Sequence, residues 1–127
     1  MKIKTSELEG AALDWAVAVA VGHEDVRVDD DKIVLVVHQD HRLPGLVDFI
    51  WFDASTNWSQ GGPLIERHGV QITLPSNVIS PSGDRTPWRA VALGGFNAFA
   101  TTPLIAACRA IVAAKLGDVV DVPEELA

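Results

Sequence analysis

Two alanine-rich apolar segments constrain the fold of this chain more than any other feature. The first covers residues 7–21, and the second begins at Pro103 and ends before Gly117. A helix that is apolar almost all round belongs in the interior of a protein. Short apolar or alternating runs lie between the two segments and are typical of strands. We therefore expect an α+β fold, with two long helices packed on a small, mainly antiparallel sheet, in a single domain over residues 1–127.

Both predicted helices have recognisable ends. Ser6 and Glu9 have the spacing of a capping box, and Gly22 suits the residue after the last helical turn. In the second helix, Thr102 is expected as the N-cap and Pro103 as the first helical residue, with Gly117 just past the end. Its apolar stripe contains Leu104, Ile105, Cys108, Ile111, Val112 and Leu116.

The remaining apolar runs predict the strands. Residues 33–38 read as a strand buried on both faces, and residues 46–53 as a strand with Trp51 and Phe52 on opposite faces. Pro63 is expected at the first position of a short helix that ends before Gly69. Further strands are expected at 70–74 and 88–93, an extended tail at 119–123, and a loop at 75–86.

Charge and cysteine content exclude several classes of function. The net charge of −7, with scattered basic residues, argues against binding to a nucleic-acid polymer, since that needs clustered Lys and Arg. The apolar run from Gly10 to Gly22 has 13 residues, fewer than the roughly 20 that span a bilayer, so no membrane association is expected. We expect no signal peptide, because polar residues rather than an apolar segment follow Lys4. Cys108 is the single cysteine, and we expect it to be a buried small hydrophobic residue.

The central loop, residues 55–63, is the strongest candidate for a binding site. It offers hydroxyl and amide groups and one indole, from Ser55, Thr56, Asn57, Trp58 and Gln60. Gly61 and Gly62 would then lead into a helix N-terminus, where free N–H groups favour an anion. Arg67 could supply positive charge. This pattern suits a small polar or nucleotide-like ligand, and the alternative is a surface loop whose polar groups satisfy one another.

Two lone charges interrupt the apolar helices. Asp14 and Arg109 would be costly to bury unpaired, so each faces water, meets the other, or meets a ligand. We expect Asp14 and Thr102 to complete a pocket with the central loop. The second long helix also carries several alanines beside its apolar stripe, and these permit either self-association or packing within the chain.

Catalytic and metal-binding patterns are weak. His38, Asp40 and His41 are ligand-type residues, but nothing fixes the further ligands that a metal site needs. No spacing motif links a nucleophile to a base, although Glu66 lies near the loop. We therefore expect no metal, no cofactor and no catalytic residues, and we favour a binding protein over an enzyme.

Three blocks of the sequence resemble the NinX-like proteins of tailed bacteriophages. They are Ser6 to Ala18, Ser55 to Arg67, and Thr102 to Arg109 followed by Lys115 to Asp118 and Val122 to Leu126. The chain departs from the family pattern in having Asn57 where Asp is usual and Cys108 where Met is usual. The resemblance implies a phage accessory protein of unknown function that resides in the cytoplasm of the host bacterium.

Two hypotheses about function follow. In the first, the protein is a non-catalytic binding module that holds a small polar or anionic ligand at residues 55–63. In the second, it binds a host or phage protein, with exposed Trp51, Trp58 or Trp88 as anchors, because tryptophan is enriched at interfaces.

Overall fold

The computed structural model describes residues 1–39, 42–43, 45–74 and 88–127. Along the chain it contains β1 (Lys2–Lys4), α1 (Gly10–Ala20), β2 (Val26–Val28), β3 (Val34–Gln39), β4 (Val47–Trp51), α2 (Trp58–Arg67), β5 (Gln71–Thr73), β6 (Trp88–Ala92), β7 (Phe96–Ala100), α3 (Pro103–Leu116) and β8 (Val119–Asp121). Residues 75–86, predicted as a loop, lie outside the described residues, as do Asp40 and His41.

The α+β class is confirmed, but the number of elements differs from the prediction. The described residues form three helices of 11, 10 and 14 residues: the first and third correspond to the two expected long helices, and the second is longer than the short helix expected after Pro63. Three small antiparallel sheets, with strand orders β1-β8, β2-β3-β4 and β5-β6-β7, replace the expected single sheet. The strand β7 was not predicted, because its alanines give little of the β-branched signal on which a strand assignment depends.

Helix α3 lies between two hydrophobic clusters. On one side it contributes Cys108 and Val112 to a cluster with residues of α1, β3 and the end of β4, among them Leu13, Val17, Val34 and Phe52. On the other side Ala106, Ala107 and Ala110 pack against the alanines of β6 and β7. From the sequence, the alanines of the second long helix could serve either self-association or packing within the chain. In the structure these three pack within the chain.

Cys108 is buried with a free thiol, as predicted. Burial and the nearby Asp14 raise the pKa of the thiol to about 12, so Cys108 stays protonated at neutral pH. Because the thiolate is the reactive form of cysteine, this side chain behaves as a small hydrophobic residue.

The start of α1 differs from the prediction. Thr5 to Glu7 form a short 3-10 turn, and α1 begins only at Gly10, with no side-chain cap from Glu9, so the predicted capping box at Ser6 and Glu9 is wrong. The neighbouring Thr5 is instead held by the end of α3, where its Oγ1 donates to the Gly117 carbonyl at 2.6 Å. A tertiary contact thus fixes this segment.

The predicted C-terminal end of α1 is confirmed. The Gly22 N–H donates to the Val19 carbonyl, and the His23 N–H donates to the Ala18 carbonyl. These two bonds form a Schellman motif, which requires the positive φ of 96° at Gly22. The chain therefore turns sharply out of α1 toward β2.

The ends of α3 also agree with the prediction. Thr102 is the N-cap, and its Oγ1 accepts a hydrogen bond from the Ile105 N–H at 3.1 Å. Pro103 is the first helical residue, and Gly117 follows the last one. Local signals are sufficient here because the cap, the proline and the glycine all favour the same boundaries.

Helices cover the sheet β2-β3-β4 only on the inner side of β3. In β3, Val34 and Val36 are buried, whereas Leu35 and Val37 are half-buried, so the prediction of a strand buried on both faces is wrong. Helices α1 and α3 pack against Val34 and Val36, but all five residues of β4 are exposed, including Ile50, which pairs with Val36 on the inner side. None of the described helices is long and apolar enough to cross a membrane.

Candidate functional site

The segment between β4 and α2 carries three of the predicted binding residues, Ser55, Thr56 and Asn57. Both the Thr56 and Asn57 N–H groups donate to the Asp53 carbonyl, which closes a turn. Helix α2 then begins at Trp58, with Asn57 as its N-cap: the Asn57 Oδ1 accepts from the Ser59 N–H at 3.0 Å. The central loop is therefore shorter than predicted, and residues 58–63 are helical.

The polar side chains of this segment bond mainly to one another. The Asn57 Nδ2 donates to the Asp53 carboxylate at 3.1 Å, and the Thr56 Oγ1 donates to the Asp53 carbonyl at 3.3 Å. The Gln60 Oε1 accepts from the Asp53 N–H, while its Nε2 donates to the Trp51 carbonyl at 2.7 Å. These groups thus fasten α2 to the end of β4.

Asp14 reaches the same segment from α1. Its Oδ1 accepts from the Ser55 N–H at 2.9 Å, and both residues are buried. Burial raises the pKa of the Asp14 carboxyl, while the Ser55 hydroxyl and N–H lower it and the charge of Asp53 raises it. The Ser55 Oγ nevertheless makes no hydrogen bond of regular geometry with any described residue.

Gly61 and Gly62 do not form the predicted anion site. Both lie inside α2, and the Gly61 N–H donates to the Asn57 carbonyl at 2.8 Å, so it is not free for a ligand. Gly61 is buried: a Cβ added there would lie 2.5 Å from Leu104 Cδ1 and 2.6 Å from the Ala54 carbonyl oxygen. Gly61 therefore permits the close approach of α2 to the start of α3.

Pro63 was predicted to be the first residue of a helix, but it lies inside α2. The predicted end before Gly69 is confirmed, because the Gly69 and Val70 N–H groups donate back to the last turn. Arg67 lies at that end, nine residues after Trp58, which places the two about 14 Å apart along the helix axis. The structure thus separates Arg67 from the polar segment.

Arg109 and Asp14 do not meet as a pair. The Arg109 Nε donates to the Leu8 carbonyl and its Nη1 to the Phe99 carbonyl, both at 2.8 Å. Burial lowers the pKa of the Arg109 guanidinium, and Glu9 raises it. Arg109 thus joins the segment before α1 to β7. Thr102 caps its own helix and lies two residues before Leu104, which contacts α2.

The outer face of the sheet β2-β3-β4 was not identified from the sequence. We call outer face the side chains of Arg27, Leu35, Val37, Val47, Phe49 and Trp51, which the strand register places on one side. Phe49 is 52% exposed and Trp51 is 59% exposed. The Arg27 guanidinium lies 5.6 Å from the centre of the Phe49 ring. A large apolar surface is thereby left open to solvent.

Metal ligands are not clustered in the part of the chain that the structure describes, where no three His, Cys, Asp or Glu side chains could hold an ion together. His38 lies exposed on β3, and its predicted companions Asp40 and His41 are outside the described residues. His23 packs edge-on to Phe52 with ring centres 5.4 Å apart. Burial and the neighbouring His38 lower the pKa of His23.

Fold and site together define a small α+β protein with an open apolar sheet face and a polar segment used for its own packing. The chain belongs to the phage family described as Bacteriophage P22, NinX, whose profile matches residues 4–115. Membership confirms the resemblance seen in the sequence. No curated protein matches the chain.

Proposed function

We propose that this phage protein acts without catalysis, by binding a second protein on the outer face of the sheet β2-β3-β4. The single observation behind the proposal is the exposure of Phe49 and Trp51 beside Leu35 and Val37 on one continuous surface. Large exposed apolar patches mark interaction sites on soluble proteins. Tryptophan and phenylalanine are also enriched at protein interfaces.

The edge of the sheet supports the same proposal. In the strand order β2-β3-β4, the strand β4 is the last one, so one row of its backbone groups has no strand partner among the described residues. Proteins usually protect such an edge with proline or lysine, and Val47–Trp51 contains neither. An extended segment of a partner can pair with β4 while its side chains contact the outer face.

Charge indicates the character of the partner. The chain carries a net charge of −7, and Asp48 is the charged residue of β4. Electrostatic complementarity speeds association and disfavours partners of like charge. The proposed partner segment is therefore an extended, apolar strand flanked by basic residues, from a host or phage protein.

Paired substitutions test this proposal. The double variant Phe49→Ala with Trp51→Ala removes the centre of the outer face, and Phe96→Ala on β7 is the control, because Phe96 is also exposed but lies on another sheet. Quantitative pull-downs from infected cells should show a protein that is retained by the control and lost with the double variant. A direct affinity measurement with the purified protein should then reproduce the difference.

Two results would contradict the proposal. One is a captured protein that binds the double variant as tightly as the unchanged chain. The other is a concentration-dependent dimer, seen by analytical ultracentrifugation, that the double variant abolishes; the outer face would then be covered by a second copy of this chain.

A second candidate function is the holding of a small polar or nucleotide-like ligand by the segment around residues 55–63. It is supported by the exposed indole of Trp58 at the start of α2, next to the polar side chains of residues 55–57. Nucleotide titrations that quench tryptophan fluorescence in the unchanged chain, but not in Trp58→Phe, would support it. Absence of quenching and of any thermal shift across a broad nucleotide panel would refute it.

A further inference from the structure

A cavity of about 210 Å³ lies at the far end of α2 from the polar segment. It forms where the end of α2, the turn after β6 and the last two turns of α3 meet. Its apolar lining comes from Ala92, Leu93, Ile111 and Ala114, and its polar lining from Arg67, His68 and Lys115. Three basic side chains therefore surround one small space, on a protein whose acidic residues outnumber its basic ones by 17 to 10.

These basic groups have no acidic partner in the part of the chain that the structure describes. Neither Arg67 nor Lys115 forms an ion pair or a side-chain hydrogen bond with the described residues. The His68 Nε2 is buried and also lacks a hydrogen-bond partner among them. Buried polar atoms are nearly always hydrogen-bonded in folded proteins, so an orphaned ring nitrogen requires an explanation.

Helix electrostatics accounts for only part of this arrangement. Arg67 and Lys115 each lie in the last turn of a helix, where a positive charge is favourable. That preference explains neither why two helix ends bring their cations to the same cavity nor why the His68 Nε2 has no partner. A ligand that accepts hydrogen bonds and carries negative charge explains both.

We propose that this cavity binds a small oxyanion of the phosphate class. Arg67 and Lys115 donate charge-assisted hydrogen bonds to the oxyanion, and the His68 ring turns so that its Nε2, once protonated, donates a third. The apolar lining, including the buried Ile111, excludes water from one side and so strengthens these interactions. The cavity shares no residue with the outer face, so the proposal of an oxyanion site does not depend on the proposed protein-binding function.

The electrostatics of His68 gives the site a characteristic pH dependence. Burial, then Lys115, then Arg67 lower the pKa of His68 in the free protein. A bound anion opposes the two cations, so it raises that pKa, and by linkage the anion binds more tightly as His68 becomes protonated. Affinity should therefore rise as the pH falls through the pKa of His68.

Sulfate is the best first probe, because it remains a dianion over the whole range in which histidine titrates. The C–H resonances of the His68 ring are followed by NMR against pH, with sulfate or with sodium chloride at equal ionic strength. Sulfate should raise the pKa of His68 by at least half a unit and should bind several-fold more tightly at pH 5.5 than at pH 8. Inorganic phosphate and glycerol phosphate are then compared by calorimetry.

Matched variants identify the residues. Lys115→Ala should weaken sulfate binding about tenfold, and His68→Gln should remove its pH dependence. Lys4→Ala is the control: it removes one positive charge from an exposed strand residue and should leave binding unchanged. Tighter binding of glycerol phosphate than of phosphate would point to a phosphorylated metabolite, and the reverse to the free ion; either supports the site.

The proposal is overturned if the pKa of His68 is the same in sulfate as in sodium chloride of equal ionic strength. It is also overturned if Lys4→Ala weakens binding as much as Lys115→Ala, because the effect would then reflect overall charge. Circular dichroism of each variant at the same pH separates a lost site from a lost fold.

Discussion

The two adjacent glycines of α2 offer a direct test of the packing described above. An alanine Cβ at position 61 would lie 2.5 Å from Leu104 Cδ1 and 2.6 Å from the Ala54 carbonyl oxygen. The first distance is about 1 Å shorter than a normal contact between carbon atoms, and both lie below the 3.0 Å that real Cβ contacts essentially never breach. Leu104 is itself buried, and the Ala54 oxygen belongs to the backbone, so neither can move away freely. At Gly62, by contrast, a Cβ meets no atom within 4 Å.

The expected magnitudes follow from these environments. Overpacking at position 61 should cost about 3 kcal/mol, of which the better helix propensity of alanine recovers about 1 kcal/mol. Gly61→Ala should therefore lower the free energy of unfolding by about 2 kcal/mol, and Gly62→Ala should raise it by about 1 kcal/mol. For a domain of this size, the melting temperatures of the two variants should differ by about 12 °C.

Thermal unfolding followed by circular dichroism at 222 nm measures both changes, and urea denaturation gives the free energies independently. Equal melting temperatures for Gly61→Ala and Gly62→Ala would refute the reasoning, because the two substitutions differ only in what the new methyl group contacts. The same result would indicate that residues 61 and 62 lie in the open loop expected from the sequence and not inside α2.

Other predictions concern the polar residues. Asp14→Ala should cost about 1–3 kcal/mol in urea denaturation, because it leaves the Ser55 N–H without an acceptor, whereas Asp14→Asn keeps an acceptor and should cost much less at pH 7. Since the pKa of Asp14 is raised in the folded chain, its titration favours folding below the ordinary value of 3.8, and this contribution is lost as the pH rises through the folded-state pKa. The stability of the unchanged chain relative to Asp14→Asn should accordingly fall between pH 4 and pH 7, and a flat difference would contradict the raised pKa. Thr102→Ala should cost about 1 kcal/mol through the lost cap of α3, measured by thermal unfolding. Arg109→Met should cost about 2 kcal/mol in the same assay by leaving the Leu8 and Phe99 carbonyls unpaired, and an unchanged stability would mean that water replaces the guanidinium.

The sequence predicted best where local signals coincide. At Thr102, Pro103 and Gly117 the cap, the first turn and the end of α3 are each set by residues within one turn of the boundary. Gly22 and Gly69 are similar, since each has the positive φ that a helix ending in a Schellman motif requires. No distant contact is needed to place these ends.

Prediction failed where tertiary contacts override local preference. Glycine and proline are poor residues for a helix interior, which is why Gly61, Gly62 and Pro63 were assigned to a loop and a helix start. Helix α2 forms there because Asn57 caps it and because Gly61 packs against Leu104. Neither contact has a signature in a short window of sequence.

The candidate site was predictable in composition but not in geometry. The sequence shows that polar residues cluster at positions 55–60, yet it could not reveal that Asn57 and Gln60 bond mainly to Asp53 and the end of β4. The sequence offered exposed Trp51 as one candidate anchor, but it could not show that Phe49 lies beside it on the same face, since an apolar strand is the same in sequence whether a helix covers it or not. Burial of one face depends on where α1 and α3 lie, which is a property of the whole fold.

The position of α3 between the two hydrophobic clusters has a consequence for how the chain unfolds. Because Cys108 and Val112 serve one cluster while Ala106, Ala107 and Ala110 serve the other, neither cluster can lose its packing without exposing a side of the same helix. The sheets β2-β3-β4 and β5-β6-β7 are therefore thermodynamically coupled although they share no strand. Amide protons of α3 should exchange only through global unfolding, which makes this helix the last element to open.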